Sequence, residues 1–159
     1  MGKRIDGKEI ALEIKEEIKE FVNKRKENNL NVPKVASILV GNDGGSLFYL
    51  NNQEKVATSL GMEFEKVHLN EEVTEEELIN KIDKLNNDNT VSGIILQLPL
   101  PKHIDEKKVI SAISPKKDVD CLTFVNHGKL YMGEDTFMPC TPKSVLTILK
   151  SLNINYYLY

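Results

Sequence analysis

Four polar residues of this chain could bind or act on a small ligand: Tyr49, Gln53, Gln97 and Asp120. Tyr49 and Gln53 are four residues apart, so on a helix they share a face and point into the same space. A glutamine donates and accepts hydrogen bonds but transfers no proton at neutral pH, whereas a carboxylate accepts strongly from N–H groups. Each residue alone has an ordinary structural interpretation. Only the combination and its order along the chain indicate a binding site.

The elements that must position these residues alternate between strand and helix three times. Apolar runs predict strands over residues 35–40, 63–69 and 93–98. Helix signals precede, separate and follow these strands. They are Asp6 and Ser46 as N-caps, a capping box at Thr74, Asp105 before a short helix, and Pro142 in the first turn of a last helix. The pattern predicts an α/β fold, with three-layer βαβ units around a small parallel sheet and helices on both faces. In such sheets, ligands bind beyond the carboxyl ends of the strands.

Composition excludes several functional classes. The net charge of −3, with basic and acidic residues interleaved, gives no reason to expect a nucleic acid partner. The three histidines and two cysteines show no metal-ligand spacing, so no metal site is expected. Two isolated cysteines favour a reducing, cytoplasmic location, and no apolar run approaches the ~20 residues needed to cross a bilayer. We expect a protein without membrane association.

Four segments together resemble one known family. They are residues 46–53 after the Gly-Asn-Asp-Gly-Gly turn, Gln97-Leu98-Pro99-Leu100-Pro101, Lys117-Asp118-Val119-Asp120, and Pro139-Cys140-Thr141-Pro142. Their sequences and order are similar to the folate half of the methylenetetrahydrofolate dehydrogenase/cyclohydrolase family. The resemblance extends from Ile5-Asp6-Gly7-Lys8 to the helix of Pro142.

The resemblance implies a role in one-carbon metabolism. Members oxidise methylenetetrahydrofolate to methenyltetrahydrofolate with NADP or NAD, most also hydrolyse the product, and they are usually homodimers. It implies that Tyr49 lies near the one-carbon bridge, that Asp120 anchors the pterin, and that one Leu-Pro bond of residues 98–101 is cis. Cys140 and Thr141 would lie beside the nicotinamide. The implied substrate-binding set is Tyr49, Gln53, Leu96, Gln97, Leu98, Pro99 and Asp120.

The chain departs from the family at Gln53, where a lysine is usual. That lysine is the acid/base group of the hydrolysis, and Gln97 tunes it in the family. Because glutamine cannot titrate, we expect the hydrolysis to suffer more than the oxidation, which depends mostly on alignment. Lys55 is an alternative cation, but it lies about 120° around the helix from Tyr49. A solvated helix charge is the simpler interpretation of Lys55.

The family's C-terminal Rossmann domain is expected to be absent. Residues 41–45 follow the wrong strand and do not fit a dinucleotide-binding glycine pattern. We expect a folate-binding catalytic domain over residues 1–141, and a linker helix with the truncated start of the nucleotide-binding region over 142–159. Two alternatives stay open: a folate-binding fragment without turnover, and a scaffold or oligomerisation piece. The apolar tail after Leu152 predicts self-association.

Overall fold

A three-stranded parallel sheet forms the centre of the computed structural model, which describes residues 5–152. The strand order is β2-β1-β3, so β1 is hydrogen-bonded along both edges. In the register, Ile38 of β1 lies between Val67 and Leu96. The bounds of the strands are Lys34–Val40 for β1, Glu63–Leu69 for β2 and Gly93–Leu96 for β3.

Six helices are described, and most begin at a residue that caps them. Asp6, Thr74, Asp105 and Thr123 each accept a hydrogen bond from a backbone N–H of the first turn that has no partner within its own helix. The predicted capping box is present, because the side chains of Thr74 and Glu77 bond each other's backbone N–H. The helices are α1 Gly7–Glu27, α2 Gly44–Ser59, α3 Glu75–Asn87, α4 Glu106–Ala112, α5 Phe124–Tyr131 and α6 Cys140–Ser151.

The two faces of the sheet carry different environments because side chains alternate along each strand. One face packs into the main core against α3 and α4; its buried residues include Ala36, Ile38, Val40, Leu78, Ile82, Ile94 and Val109. The other face, with Ser37, meets α2. The predicted α/β architecture with helices on both faces is therefore confirmed. No helix within residues 5–152 is both long and apolar enough to span a bilayer.

The start of α2 differs from the prediction that Ser46 caps it. Asp43 is the N-cap, and its Oδ2 accepts from both the backbone N–H and the hydroxyl of Ser46, each at 2.8 Å. A carboxylate accepts both bonds at once and is a strong N-cap, so the helix begins at Gly44 instead. The Ser46 prediction was wrong because two glycines, poor helix formers, concealed the true start.

The segment from 123 to 141 contains a helix that the sequence pattern did not reveal. Phe124–Tyr131 forms α5, an eight-residue helix that contains Gly128 and exposes Phe124, Val125 and Tyr131, so its sequence gives only a short and weak helix signal. The last helix, α6, begins at Cys140, two residues before Pro142. The proposed division between residues 141 and 142 therefore falls inside α6 and stays a prediction. The predicted self-association of the apolar tail concerns residues outside the described range.

Gly93 offers a test of how tightly the loop before Asp120 packs on the sheet. A Cβ placed on Gly93 would lie 2.5 Å from Cγ1 of Val119. We expect Gly93→Ala to lower the free energy of unfolding by about 1–3 kcal/mol through overpacking. Adding Val119→Ala should recover much of the loss. Urea unfolding measures both.

Gly128→Ala is the matched control, since apart from its chain neighbours and the backbone of its own helix no atom lies within 4 Å of the Cβ added to this exposed residue. It should raise stability by about 0.5–1 kcal/mol through helix propensity. If Gly93→Ala is as harmless as Gly128→Ala, the close approach of Val119 is not a real constraint.

Candidate functional site

A cavity of about 330 Å³ lies between α2 and the sheet. As their spacing predicts, Tyr49 and Gln53 both line it from α2. The walls are largely apolar, with Val35 and Ile95 contributed by neighbouring strands. The complete lining is Val35, Tyr49, Asn52, Gln53, Val56, Ala57, Met62, Phe64 and Ile95.

The cavity lies along the face of the sheet, which differs from the expected position beyond the strand ends. Val35 and Phe64 belong to the first two residues of β1 and β2, yet both line it. The reason is the direction of α2, which starts after the carboxyl end of β1 and runs back along the strands. Gln53 lies about two and a half turns into α2 and therefore reaches the middle of β1, at Ser37.

Three side chains form a closed polar cluster beside this cavity, which we call the amide ring: Ser37, Gln53 and Gln97. Nε2 of Gln97 donates to Oγ of Ser37 at 2.9 Å and to Oε1 of Gln53 at 3.0 Å. The Ser37 hydroxyl donates to the same Gln53 oxygen at 3.2 Å. Sequence reasoning missed Ser37. The available signal was a single hydroxyl in the otherwise apolar strand Val35-Ala36-Ser37-Ile38-Leu39-Val40.

Gln97 is held just past the end of β3. Its backbone N–H donates to the carbonyl oxygen of Ile38 at 2.8 Å, and only 8% of the residue is exposed. The following Leu98–Pro99 peptide bond is cis, as the resemblance implied, and both residues are exposed. Leu96 differs from its neighbours, because its side chain packs in the main core on the other face. Of the expected set, Leu96 therefore offers a ligand only its backbone.

The loop that carries Asp120 is organised by its buried neighbour, Asp118. The carboxylate of Asp118, 1% exposed, accepts from the backbone N–H groups of Leu122 and Thr123 at 2.8 and 2.9 Å. It also accepts from the Thr123 hydroxyl at 2.7 Å and from Nδ2 of Asn126 at 2.9 Å. Four donors satisfy a carboxylate that would otherwise be costly to bury. This network fixes the loop to α5 and holds Cys121 at φ 56°, a left-handed conformation.

Asp120 lies near Cys140 in the structure. Although Cys140 as a whole is exposed, its sulfur is partly desolvated. This burial and the nearby carboxylate of Asp120 raise the pKa of Cys140 to about 11. In the described part of the chain, Asp120 makes no hydrogen bond to Tyr49, Gln53 or Gln97 and does not line the cavity. The structure thus pairs Gln97 with Gln53, whereas it places Asp120 near Cys140.

The two remaining candidate residues, Lys55 and Thr141, are both exposed. Lys55 is exposed and does not line the cavity, which fits a solvated helix charge. Thr141 is exposed in the first turn of α6. Within residues 5–152, no group of three or more acidic, histidine or cysteine side chains is placed to hold a metal ion.

Comparisons with known proteins identify the family to which this chain belongs. The model of the tetrahydrofolate dehydrogenase/cyclohydrolase catalytic domain matches residues 5–120. The bifunctional protein FolD of Clostridium beijerinckii is 65% identical over 155 residues, which is 98% of this chain and 55% of that protein. The crystal structure of FolD from Campylobacter jejuni superimposes with a TM-score of 0.90 at 39% identity, covering 94% of this chain and 53% of the other.

A third relative was solved with bound molecules. The dehydrogenase-cyclohydrolase of Trypanosoma brucei, complexed with NADP and an inhibitor, has a TM-score of 0.89 at 32% identity, covering 96% of this chain and 52% of that protein. The chain spans about half the length of the relatives it matches. With residues 5–120 matched by the family model, and with close relatives aligned over nearly its whole length, this chain belongs to the tetrahydrofolate dehydrogenase/cyclohydrolase family.

Proposed function

We propose that this chain forms the folate-binding part of a methylenetetrahydrofolate dehydrogenase/cyclohydrolase. The observation that supports this most is the cavity beside α2, where a tyrosine and the amide ring meet apolar walls. A flat, partly polar heterocycle such as a pterin needs this combination of stacking surface and hydrogen-bonding groups. Relatives at 65% and 39% identity are named as bifunctional FolD proteins, which fits the same activity.

Each site residue has a proposed role. The ring of Tyr49, 60% exposed, offers a face on which the pterin can stack near the one-carbon bridge. Gln53 and Gln97 hydrogen-bond the ligand, and Leu98 with Pro99 forms an exposed wall after Gln97. Asp120 accepts hydrogen bonds from pterin N–H groups, as a carboxylate does well. For Asp120 to reach a ligand in the cavity, the pterin must extend from the cavity toward α6.

The oxidation requires NADP or NAD as hydride acceptor, and the described residues do not form a complete site for either. Gly44 and Gly45 belong to the first turn of α2 and do not form a nucleotide-binding loop. We place the dinucleotide site in the part of the family's length that this chain does not span. The contribution of this chain is to bind and orient the methylene bridge, with Cys140 and Thr141 nearest to the acceptor. We further propose that the full-length enzyme is a homodimer.

The hydrolysis is proposed to be weakened by Gln53. Hydrolysis of the methenyl bridge needs water activation and proton transfer, to which a positioned acid/base group contributes roughly 10²–10⁴-fold. Gln53 holds hydrogen bonds at this position but carries no titrating proton. Lys55 is exposed and outside the cavity lining, so it does not replace the missing lysine.

The alternative is a folate-binding fragment that turns nothing over. It shares every binding residue with the enzyme proposal, so only turnover with added NADP or NAD separates the two. A pure scaffold role is disfavoured by the amide ring, because folding alone does not require two glutamines and a serine to meet beside a cavity.

Binding by this chain is the first test of the proposal. Calorimetric titration with 5,10-dideazatetrahydrofolate, without nucleotide, should show saturable binding. Asp120→Ala should weaken it by about tenfold or more, since it removes a charged hydrogen-bond acceptor. Asp83→Ala, an exposed aspartate on α3 away from the cavity, is the matched control and should change nothing. Absence of binding by a folded chain would refute a preformed folate site.

The weakened hydrolysis is tested in a full-length enzyme carrying this sequence. Gln53→Lys should raise the rate of methenyltetrahydrofolate hydrolysis by at least about tenfold, because it restores an acid/base group. The dehydrogenase rate should change much less. Lys55→Gln is the control and should leave both rates unaltered. Equal hydrolysis by wild type and Gln53→Lys would contradict the role assigned to the missing lysine.

The contact between Asp120 and Cys140 predicts a slow thiol. With a pKa of about 11, Cys140 holds about a hundredfold less thiolate at pH 8 than an ordinary exposed cysteine, so iodoacetamide should react correspondingly slowly. Asp120→Asn should accelerate alkylation, because it removes the charge that disfavours the thiolate. Lys143→Gln should slow it, since the Lys143 charge lowers the pKa of this thiol.

Peptide mapping by mass spectrometry assigns the alkylated residue, and buried Cys121 should stay unmodified in the folded chain. A bound folate analogue should reduce the Cys140 rate further if Asp120 and Cys140 border the ligand. An unchanged rate in Asp120→Asn would show that the carboxylate does not act on the thiol.

A further inference from the structure

The amide ring has only two self-consistent arrangements. In the observed one, Gln53 receives two hydrogen bonds at its oxygen, and Gln97 donates both of its contacts through its nitrogen. Turning one amide alone would place two oxygens or two NH₂ groups against each other, which is repulsive. Turning both together preserves all three contacts with donor and acceptor exchanged. The two amides are therefore coupled.

The hydroxyl of Ser37 reinforces this coupling and ties both amides to β1. In the observed arrangement it accepts from Gln97 and donates to Gln53, and in the exchanged arrangement it would do the reverse. A hydroxyl rotates to suit either pattern, whereas alanine or valine at this position would offer neither contact. Ser37 is fully buried, so water does not compete for its hydrogen bonds to the two amides.

The outer atoms of the two amides face away from the ring. Among residues 5–152, Nε2 of Gln53 and Oε1 of Gln97 make no hydrogen bond, yet no buried side-chain nitrogen or oxygen in that range lacks a partner. Both atoms are therefore accessible to solvent, and Gln53 presents its amide to the cavity that it lines. One is a donor and the other an acceptor in either arrangement of the ring.

We propose that Ser37 is a positioning residue that locks Gln53 and Gln97 into one coupled unit, which always presents one N–H donor group and one carbonyl acceptor to the ligand. Such a pair is complementary to a ligand edge that carries a carbonyl oxygen beside an N–H group. Identification of this ligand as a folate rests on the proposed function, whereas the coupling itself rests on the geometry of the free chain.

The coupling is tested without any ligand by ¹⁵N relaxation of the side-chain amides. The Nε2 groups of Gln53 and Gln97 should show high heteronuclear NOE values typical of ordered backbone, and Ser37→Ala should lower both. Ser37→Cys keeps the shape of serine but hydrogen-bonds weakly, so it should behave like Ser37→Ala while guarding against a packing defect. Ser92→Ala removes a hydroxyl that accepts from the N–H of Lys34, at the start of β1, and is the matched control.

Mobile amides in the wild type, or amides equally ordered in Ser37→Ala, would overturn the proposal. A merely structural serine would alter thermal stability and leave these side-chain signals in place. Ser37→Ala should instead leave the melting temperature nearly unchanged, because the variant loses a buried polar group and its partners keep their mutual hydrogen bond.

Titration with 5,10-dideazatetrahydrofolate adds the functional readout. Ser37→Ala should weaken binding roughly five- to tenfold, the effect expected when about one neutral hydrogen bond is lost. In a background that carries both Gln53→Met and Gln97→Met, Ser37→Ala should weaken binding no further, because the serine acts only through the two glutamines. Additive effects would contradict a positioning role. If the wild type does not bind the analogue, the proposed function fails, and the relaxation measurement still decides the coupling.

Discussion

The double pairing of β1 is the constraint on which the rest of the structure depends. Because β1 is hydrogen-bonded to β2 on one edge and to β3 on the other, its register cannot slip by one residue without moving its side chains to the opposite face. That register sends Ile38 into the main core and Ser37 toward α2. It also aligns the end of β3 so that Gln97 donates to the carbonyl of Ile38. The amide ring is thus a direct consequence of strand pairing.

The second organising feature is the buried carboxylate of Asp118. An isolated β-bridge joins Asp118 to Ile94, so this loop continues the sheet beyond β3. The four hydrogen bonds that Asp118 accepts then fix the turn through Cys121 and the start of α5. Asp120, two residues later, is held in place by these hydrogen bonds although it makes none of them. A buried carboxylate so fully satisfied contributes conformational definition more than net stability.

Local signals predicted the regular elements well. The strand over 63–69, the capping box at Thr74 and the cap at Asp105 follow from side-chain chemistry within a few residues, and the structure confirms all three. The start of α2 and the existence of α5 were not predictable in this way. Two glycines conceal the start of α2, and the short helix α5 is held by the tertiary contacts of Asp118 and Asn126.

The candidate site also has one part that local sequence patterns predict and another that depends on tertiary structure. Tyr49 and Gln53 share a cavity because of helical spacing, which the sequence contains. The partnership of Gln53 with Ser37 depends on strand register and on the direction of α2, neither of which a local pattern encodes. The position of Asp120 beside Cys140 likewise depends on how α6 returns to the loop.

A neutral residue at position 53 also fits the electrostatics of its surroundings. An ammonium group at this half-buried point would need compensation for lost hydration, and its pKa would fall unless a carboxylate lay nearby. The groups that hydrogen-bond Gln53 are a hydroxyl and an amide, and neither carries a charge that could stabilise an ammonium group. The ring therefore holds its hydrogen-bond donors at every pH at which the chain is folded, because none of its three members titrates. The hydrogen-bond geometry of the ring therefore does not depend on the protonation state of any of its own members.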